Sequence, residues 1–267
     1  MTQAQQQPAL FVSHGAPTFA IEPGLLGPKL RRYGERLSNL AAVVVVSAHW
    51  QTPGVQVMRT GKPETIHDFG GFPPALYRIE YPAPGNPALA TETRALLEAA
   101  GFEASFDESR GLDHGVWVPM LYLLPEAPTP VFQVSLPFDF NAADALRLGW
   151  ALAPLRERGA MVMGSGSLTH NLREIGQSDP NMTEYAHEFT AWVRKHVQEK
   201  DLAALADYRR RAPHARRAHP TEEHFLPLLV AVGASGGEDA VEVIEGGMTY
   251  GVLSMESYGF APHRAAA

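Results

Sequence analysis

His14, His49 and His170 each stand just beyond an apolar run, in LFVSHG, VVVVSAHW and MVMGSGSLTHN. A buried strand needs the valines and has no use for the imidazole, so the rings must serve whatever the strand ends face. The sequence holds 11 histidines and no cysteine. Imidazole is the commonest metal ligand and the one side chain whose ordinary pKa falls near neutrality. Three such rings in one topological position point to metal binding or acid–base chemistry. Their nitrogens suit Fe(II) and Zn(II) alike. His224, in TEEHFLPL, is a candidate to close the group. A lone histidine after a strand is more often a hydrogen-bonded core residue than a ligand; it is the repetition that shifts the balance.

For these rings to meet, their strands must lie side by side and end at one edge. Pro8–Val12, Ala41–Ala48, Val131–Leu136 and Ala160–Gly164 read as buried strands. A helix is predicted over Gly24–Leu40, with Leu25, Leu26, Leu30, Tyr33 and Leu37 on one face. Asn86-Pro87 opens another over Ala88–Ala100, and a third runs from about Asn141 to Arg158. A capping box, Asn181 to Glu184, starts a fourth that ends about Lys200. Thr221 is expected to cap the helix TEEHFLPLLVAVG, with Val241–Ile244 and Gly251–Met255 as the last strands. This alternation predicts one α/β domain over residues 1–267, with 1–7 and 260–267 as flexible tails. The sheet is expected to be mainly parallel or mixed, with helices on both faces. The metal site then falls at the carboxyl ends of the strands, where open α/β sheets bind their ligands.

The formal net charge of −7 offers no basic field for nucleic acid. Absence of cysteine excludes disulfides and thiolate ligands and fits a reducing compartment. The segment MTQAQQQPALFV lacks the basic-then-apolar order of a signal peptide, and no apolar run reaches the length of a membrane span. The expectation is a cytoplasmic protein with no membrane or nucleic-acid partner, homo-oligomerisation being left open.

The segments FVSHGAPTFAIEPG, VVVVSAHW, TIHDFGGFPPALYRIEYPAPGNP, LDHGVWVPM, SGSLTHNL and TEEHFLPLLVAVGA resemble, in the same order, the LigB-type class III extradiol ring-cleavage dioxygenases. Within them the likeness is to the 4,5-DOPA dioxygenase branch. It implies a single α/β domain holding a non-haem Fe(II), often recovered as zinc. It implies His14, His49 and His224 as metal ligands, and His170 beside the metal as acid–base residue or fourth ligand. His114, in LDHGVW, would be a further histidine of the substrate pocket. The wider family pattern of two histidines and a carboxylate leaves Glu222 or Glu223 as an alternative to His224.

Extradiol cleavage joins a catechol and O2, so the protein should fill only part of the coordination sphere, as a three-ligand face does. A catechol hydroxyl must lose a proton, for which His170 is the candidate base; His114 is the candidate proton donor or oxygen-pocket residue. In His67-Asp68-Phe69-Gly70-Gly71-Phe72-Pro73, His67 and Phe69, with Tyr77 nearby, are candidates to line a substrate lid. The alternative is an ordinary turn whose rings anchor it to the core; Tyr77 and Trp117 could line the same pocket, but a core role is expected of both. The basic stretch Arg209–Arg211 with Arg216 and Arg217 either attracts a substrate carboxylate or is a solvated face. His187, His196 and His263 are expected on the surface and His214 as a loop cap. His219 is close enough in sequence to His224 to support it. Two further readings of the histidine set are a zinc hydrolase, in which Zn2+ generates hydroxide, and a non-catalytic metal-binding relative.

Overall fold

Val43 to Val46 leave no polar face, so this segment can be a strand only where both sides are covered. The computed structural model describes residues 6–176 and 179–262, without the side chains of Pro180 and Asn181. In it the valines form the second strand of a six-stranded sheet. Its strands are β1 (Ala9–Ser13), β2 (Ala42–Ser47), β3 (Val131–Gln133), β4 (Ala160–Gly166), β5 (Ala240–Ile244) and β6 (Ser257–Ala261). They are ordered β3-β2-β4-β1-β6-β5. The first four run parallel, whereas β6 is antiparallel to both of its neighbours. Every residue of β1 to β4 is buried. The result is a single α/β domain with a mixed, mainly parallel sheet.

The main helices are α1 (Leu26–Gly34), α2 (Pro87–Ala99), α3 (His114–Leu123), α4 (Ala142–Leu152), α5 (Pro180–Gln198) and α6 (Leu226–Ala234). Side chains alternate along a strand, so successive residues of β4 report on opposite faces. A Cβ on Gly164 would lie 1.9 Å from the Pro227 carbonyl oxygen, and one on Gly166 2.2 Å from that of His224. Ser165, between them, points the other way and donates to the carbonyl of Gly115 in α3. Helices α6 and α3 therefore cover opposite faces, with α4 packed against α6. Among the described residues no helix is long and apolar enough to cross a membrane.

Several expectations need correction. Thr221 does not cap α6: its hydroxyl turns to Glu223 at 3.0 Å, and the helix starts only at Leu226. Leu25, placed on the buried face of the first helix, is 66% exposed and precedes it. The last sheet strand is β6, so Phe260 is buried inside a strand and not in a tail. Gln7 is likewise buried, and its side-chain amide donates to the Ser38 carbonyl at 3.2 Å. Leu253–Ser254, within the stretch expected as that strand, pairs among the described residues with Met248–Thr249, outside the six-stranded sheet. The Asn181 side chain of the proposed capping box and His263 lie outside the described residues. A capping box does occur at Asn141 and Asp144, opening α4.

Candidate active site

His14 directly follows β1, and His49 follows β2 after one intervening residue. These two strands flank β4 and run parallel to it, so both rings leave the sheet at one edge. The Nε2 atoms of the two rings are 3.0 Å apart. His224 arrives from the turn before α6, whose backbone is pressed onto Gly166. Its ring centroid lies 5.5 Å from that of His14 and 4.9 Å from that of His49. One nitrogen from each of the three rings lies within 4.8 Å of the others.

The hydrogen bonds around these rings decide which nitrogen faces inward. Ser165 gives its one hydroxyl hydrogen to Gly115, so the contact of 3.0 Å from His14 Nδ1 must be an N–H donated to that oxygen. The lone pair of His14 then sits on Nε2. His224 donates from Nδ1 to Glu223 at 2.9 Å, and its buried Nε2 has no hydrogen-bonding partner. A carboxylate on the outer nitrogen is the usual way a metal-binding histidine is oriented. Metal–nitrogen bonds of about 2.1 Å meeting at right angles place their nitrogens about 3 Å apart. The observed separation and the unpartnered Nε2 thus fit a cation held by His14, His49 and His224. Glu222 faces elsewhere: it accepts from Tyr208 at 2.9 Å and pairs with Arg209 at 3.2 Å. Glu223, on the outer edge of His224, orients that ring.

Burial is the leading cause that holds these imidazoles neutral. His14 and His224 lie well below the ordinary range, His49 is lowered to about 3, His170 to about 4 and His219 to about 3. Unfolding would free each ring to titrate near its ordinary value of about 6.5. Below that pH the unfolded chain binds more protons than the folded one. Stability of the metal-free protein should therefore be fully present above about pH 6.5 and be lost as the pH falls towards the folded values. Each ring adds a slope of up to ~1.4 kcal/mol per pH unit. The urea midpoint of the metal-free protein should fall clearly between about pH 7.5 and pH 5; a flat profile would contradict the burial of these rings.

His170 does not join His14 and His49. Its ring lies flat on His224, with centroids 3.5 Å apart and planes 11° apart, and it groups instead with Glu223 and His224. His219 fixes the approach to it by a contact of 2.9 Å from its Nε2 to the Leu168 carbonyl. On the opposite side, His114 opens α3 with its centroid 4.0 Å from that of His49. Phe69 stands edge-on to His114 at 5.7 Å and lies 5.1 Å from Tyr77. His67 is 5.8 Å from Phe69 but directs Nε2 to the Ile79 carbonyl at 3.0 Å, and Trp117 is fully buried. The two readings of this loop thus divide between its residues: His67 and Trp117 anchor it, whereas Tyr77, expected in the core, is 39% exposed and forms a rim with Phe69 beside the histidines.

The sequence reading passed over three acidic or hydroxyl partners. Asp68 touches His114, and Ser165 holds His14. Asp113, fully buried, accepts from Ser47 at 2.7 Å and from Arg110 at 3.0 Å. Burial holds the Asp113 carboxyl above its ordinary range. Burial also pushes Asp68 up, but the ring and backbone N–H of His114 outweigh it and bring it to about 2. The signal available was adjacency: each aspartate is a direct neighbour of a histidine, in HDFGG and LDHG. His196, expected on the surface, is buried against Trp192 at 4.2 Å. Of the arginine stretch, Arg209, Arg210, Arg211 and Arg217 pair with acids of this chain.

A mainly parallel α/β sheet that delivers imidazoles from separate strand ends to one buried point defines a candidate metal centre. Comparison with known proteins agrees. The catalytic LigB subunit of aromatic ring-opening dioxygenase matches residues 29–261. A 4,5-DOPA dioxygenase extradiol of Beta vulgaris is 38% identical over 256 residues, 94% of this chain and 95% of that protein. One of Escherichia coli K12 is 38% identical over 261 residues, covering 94% of each. A solved structure of an uncharacterized protein of Escherichia coli K12 superimposes with a TM-score of 0.78 at 31% identity, over 95% of this chain and 99% of that one. The chain belongs to the LigB family and is an extradiol ring-opening dioxygenase, acting on a small aromatic molecule and O2.

Proposed function

We propose that this dioxygenase binds Fe(II) through His14, His49 and His224 and opens a catechol bearing a side chain, such as DOPA or a phenylpropanoid catechol. The observation that carries the reading is the inward-facing, unpartnered Nε2 of His224 next to the paired Nε2 atoms of His14 and His49. The names of the relatives support the substrate class. When bound, a ferrous ion supplies the electronic link that lets a catecholate react with O2, which spin otherwise keeps slow.

The remaining work falls to the protein. His170, neutral and stacked on His224, takes the proton from a catechol hydroxyl. His114, with Nδ1 turned to Asp68, exchanges a proton with the substrate at Nε2. Phe69 and Tyr77, with His67 behind them, hold the ring and keep water from it. A reducing cytoplasm is the setting we assign, since it keeps iron ferrous. Protein prepared without air, loaded with ferrous iron and given catechols before air is admitted should consume O2 and form a yellow ring-opened semialdehyde. If no catechol does so, or if zinc and not iron restores ring opening, the reading is wrong.

A further inference from the structure

The loop His67–Phe72 and the start of α3 are joined by one side chain. Asp68 Oδ1 accepts the backbone N–H of His114 at 2.9 Å, and Nδ1 of the His114 ring lies 2.9 Å from the same oxygen. The other oxygen is 3.8 Å from His49 Nδ1, and the side chain is only 22% exposed. Asp113, at the cap position of α3, makes no side-chain bond to the helix because it is turned to Ser47 and Arg110. The cap is supplied instead by Asp68, 46 residues earlier. The adjoining Phe69 stands at 89° to the His114 ring, with Phe72 5.4 Å beyond it. Trp117, one turn along α3, donates to the Ile66 carbonyl at 2.9 Å. A turn held by its aromatic rings alone has no need of a carboxylate aimed at a helix start and an active-site imidazole.

We infer that Asp68 is a positioning residue: it sets the tautomer and tilt of His114 and locks the aromatic rim beside it, so that both meet the substrate as one unit. The inference rests on the reading of His114 as the proton-exchanging ring. The 2.9 Å contact is not aligned as a hydrogen bond, but a carboxylate oxygen that close repels a lone pair on Nδ1, favours the hydrogen there and leaves Nε2 for the substrate.

The test compares metal-loaded Asp68→Asn, His114→Ala and the double variant with the wild type. Asp68→Asn should lower kcat about 10- to 100-fold, with metal content and melting temperature near those of the wild type. In the His114→Ala background the same change should lower kcat by less than about 3-fold, because nothing remains to be positioned. Asp68→Ala also removes the acceptor for the His114 N–H and should raise KM as the rim is released. An unchanged kcat in Asp68→Asn, or losses that multiply in the double variant, overturns the inference. A second measurement needs neither variant nor turnover: nitrogen-15 NMR of the wild type should show hydrogen on His114 Nδ1. Hydrogen on Nε2 alone overturns the inference. Because this is read without substrate, it is separable from a failure of the catechol assay.

Discussion

His224→Ala is expected to empty the centre of metal and to lower kcat/KM for catechol at least about 10^3-fold. The ring reaches the cluster through a buried Nε2 with no other partner, and its Nδ1 is already held by Glu223. Glu222 is committed to Tyr208 and Arg209, and Glu223 lies on the outer edge of the ring, where it also accepts from Thr221. A bound metal supplies several kcal/mol of transition-state stabilisation, and each ~1.4 kcal/mol is tenfold in rate. Metal content and ring-opening rate should fall together. His196→Ala removes another buried imidazole, on α5 and away from the cluster, and should affect stability alone. Full metal occupancy in His224→Ala would remove this ring from the ligand set.

His170→Ala should behave differently, keeping its metal while losing about 10^2- to 10^4-fold in kcat, the usual worth of a general base. The geometry separates the two roles. His14, His49 and His224 bring one nitrogen each to a common point, whereas His170 stacks on the outer face of His224 and groups with Glu223. Burial keeps its imidazole neutral, the form from which a base must start. The informative pair of measurements is metal content against kcat in the same preparation. Loss of metal in His170→Ala would make it a fourth ligand; unchanged turnover would leave the base unassigned.

What could be read in the chain was what local pattern carries. The apolar runs before His14 and His49 announce strands buried on both faces, and parallel strands must end at a common edge. That much predicts the convergence. The grouping of His170 with His224 and Glu223, and not with His14 and His49, could not be read, because it depends on the path of the loop after β4 and on the turn before α6. Asp68 was missed for a related reason: its partner lies 46 residues away, and only closure of the fold brings them together. Phe260 and Ala261 looked like part of a tail because the strand they complete pairs with β1, across nearly the whole chain. The burial of His196 was within reach, since Trp192 stands four residues before it on the same helix.

The glycines of β4 bear on any attempt to retrain the enzyme for new substrates. At Gly164 and Gly166 main chain meets main chain, and any added methyl group would have to push the His224 turn outward. Such a push would displace His224, the proposed ligand, whatever the substrate. Phe69, Phe72 and Tyr77, in contrast, are side chains on a rim, free to shrink or change polarity without moving the sheet. Mutant libraries seeking different ring substituents should therefore vary the rim and treat the glycine seam as untouchable.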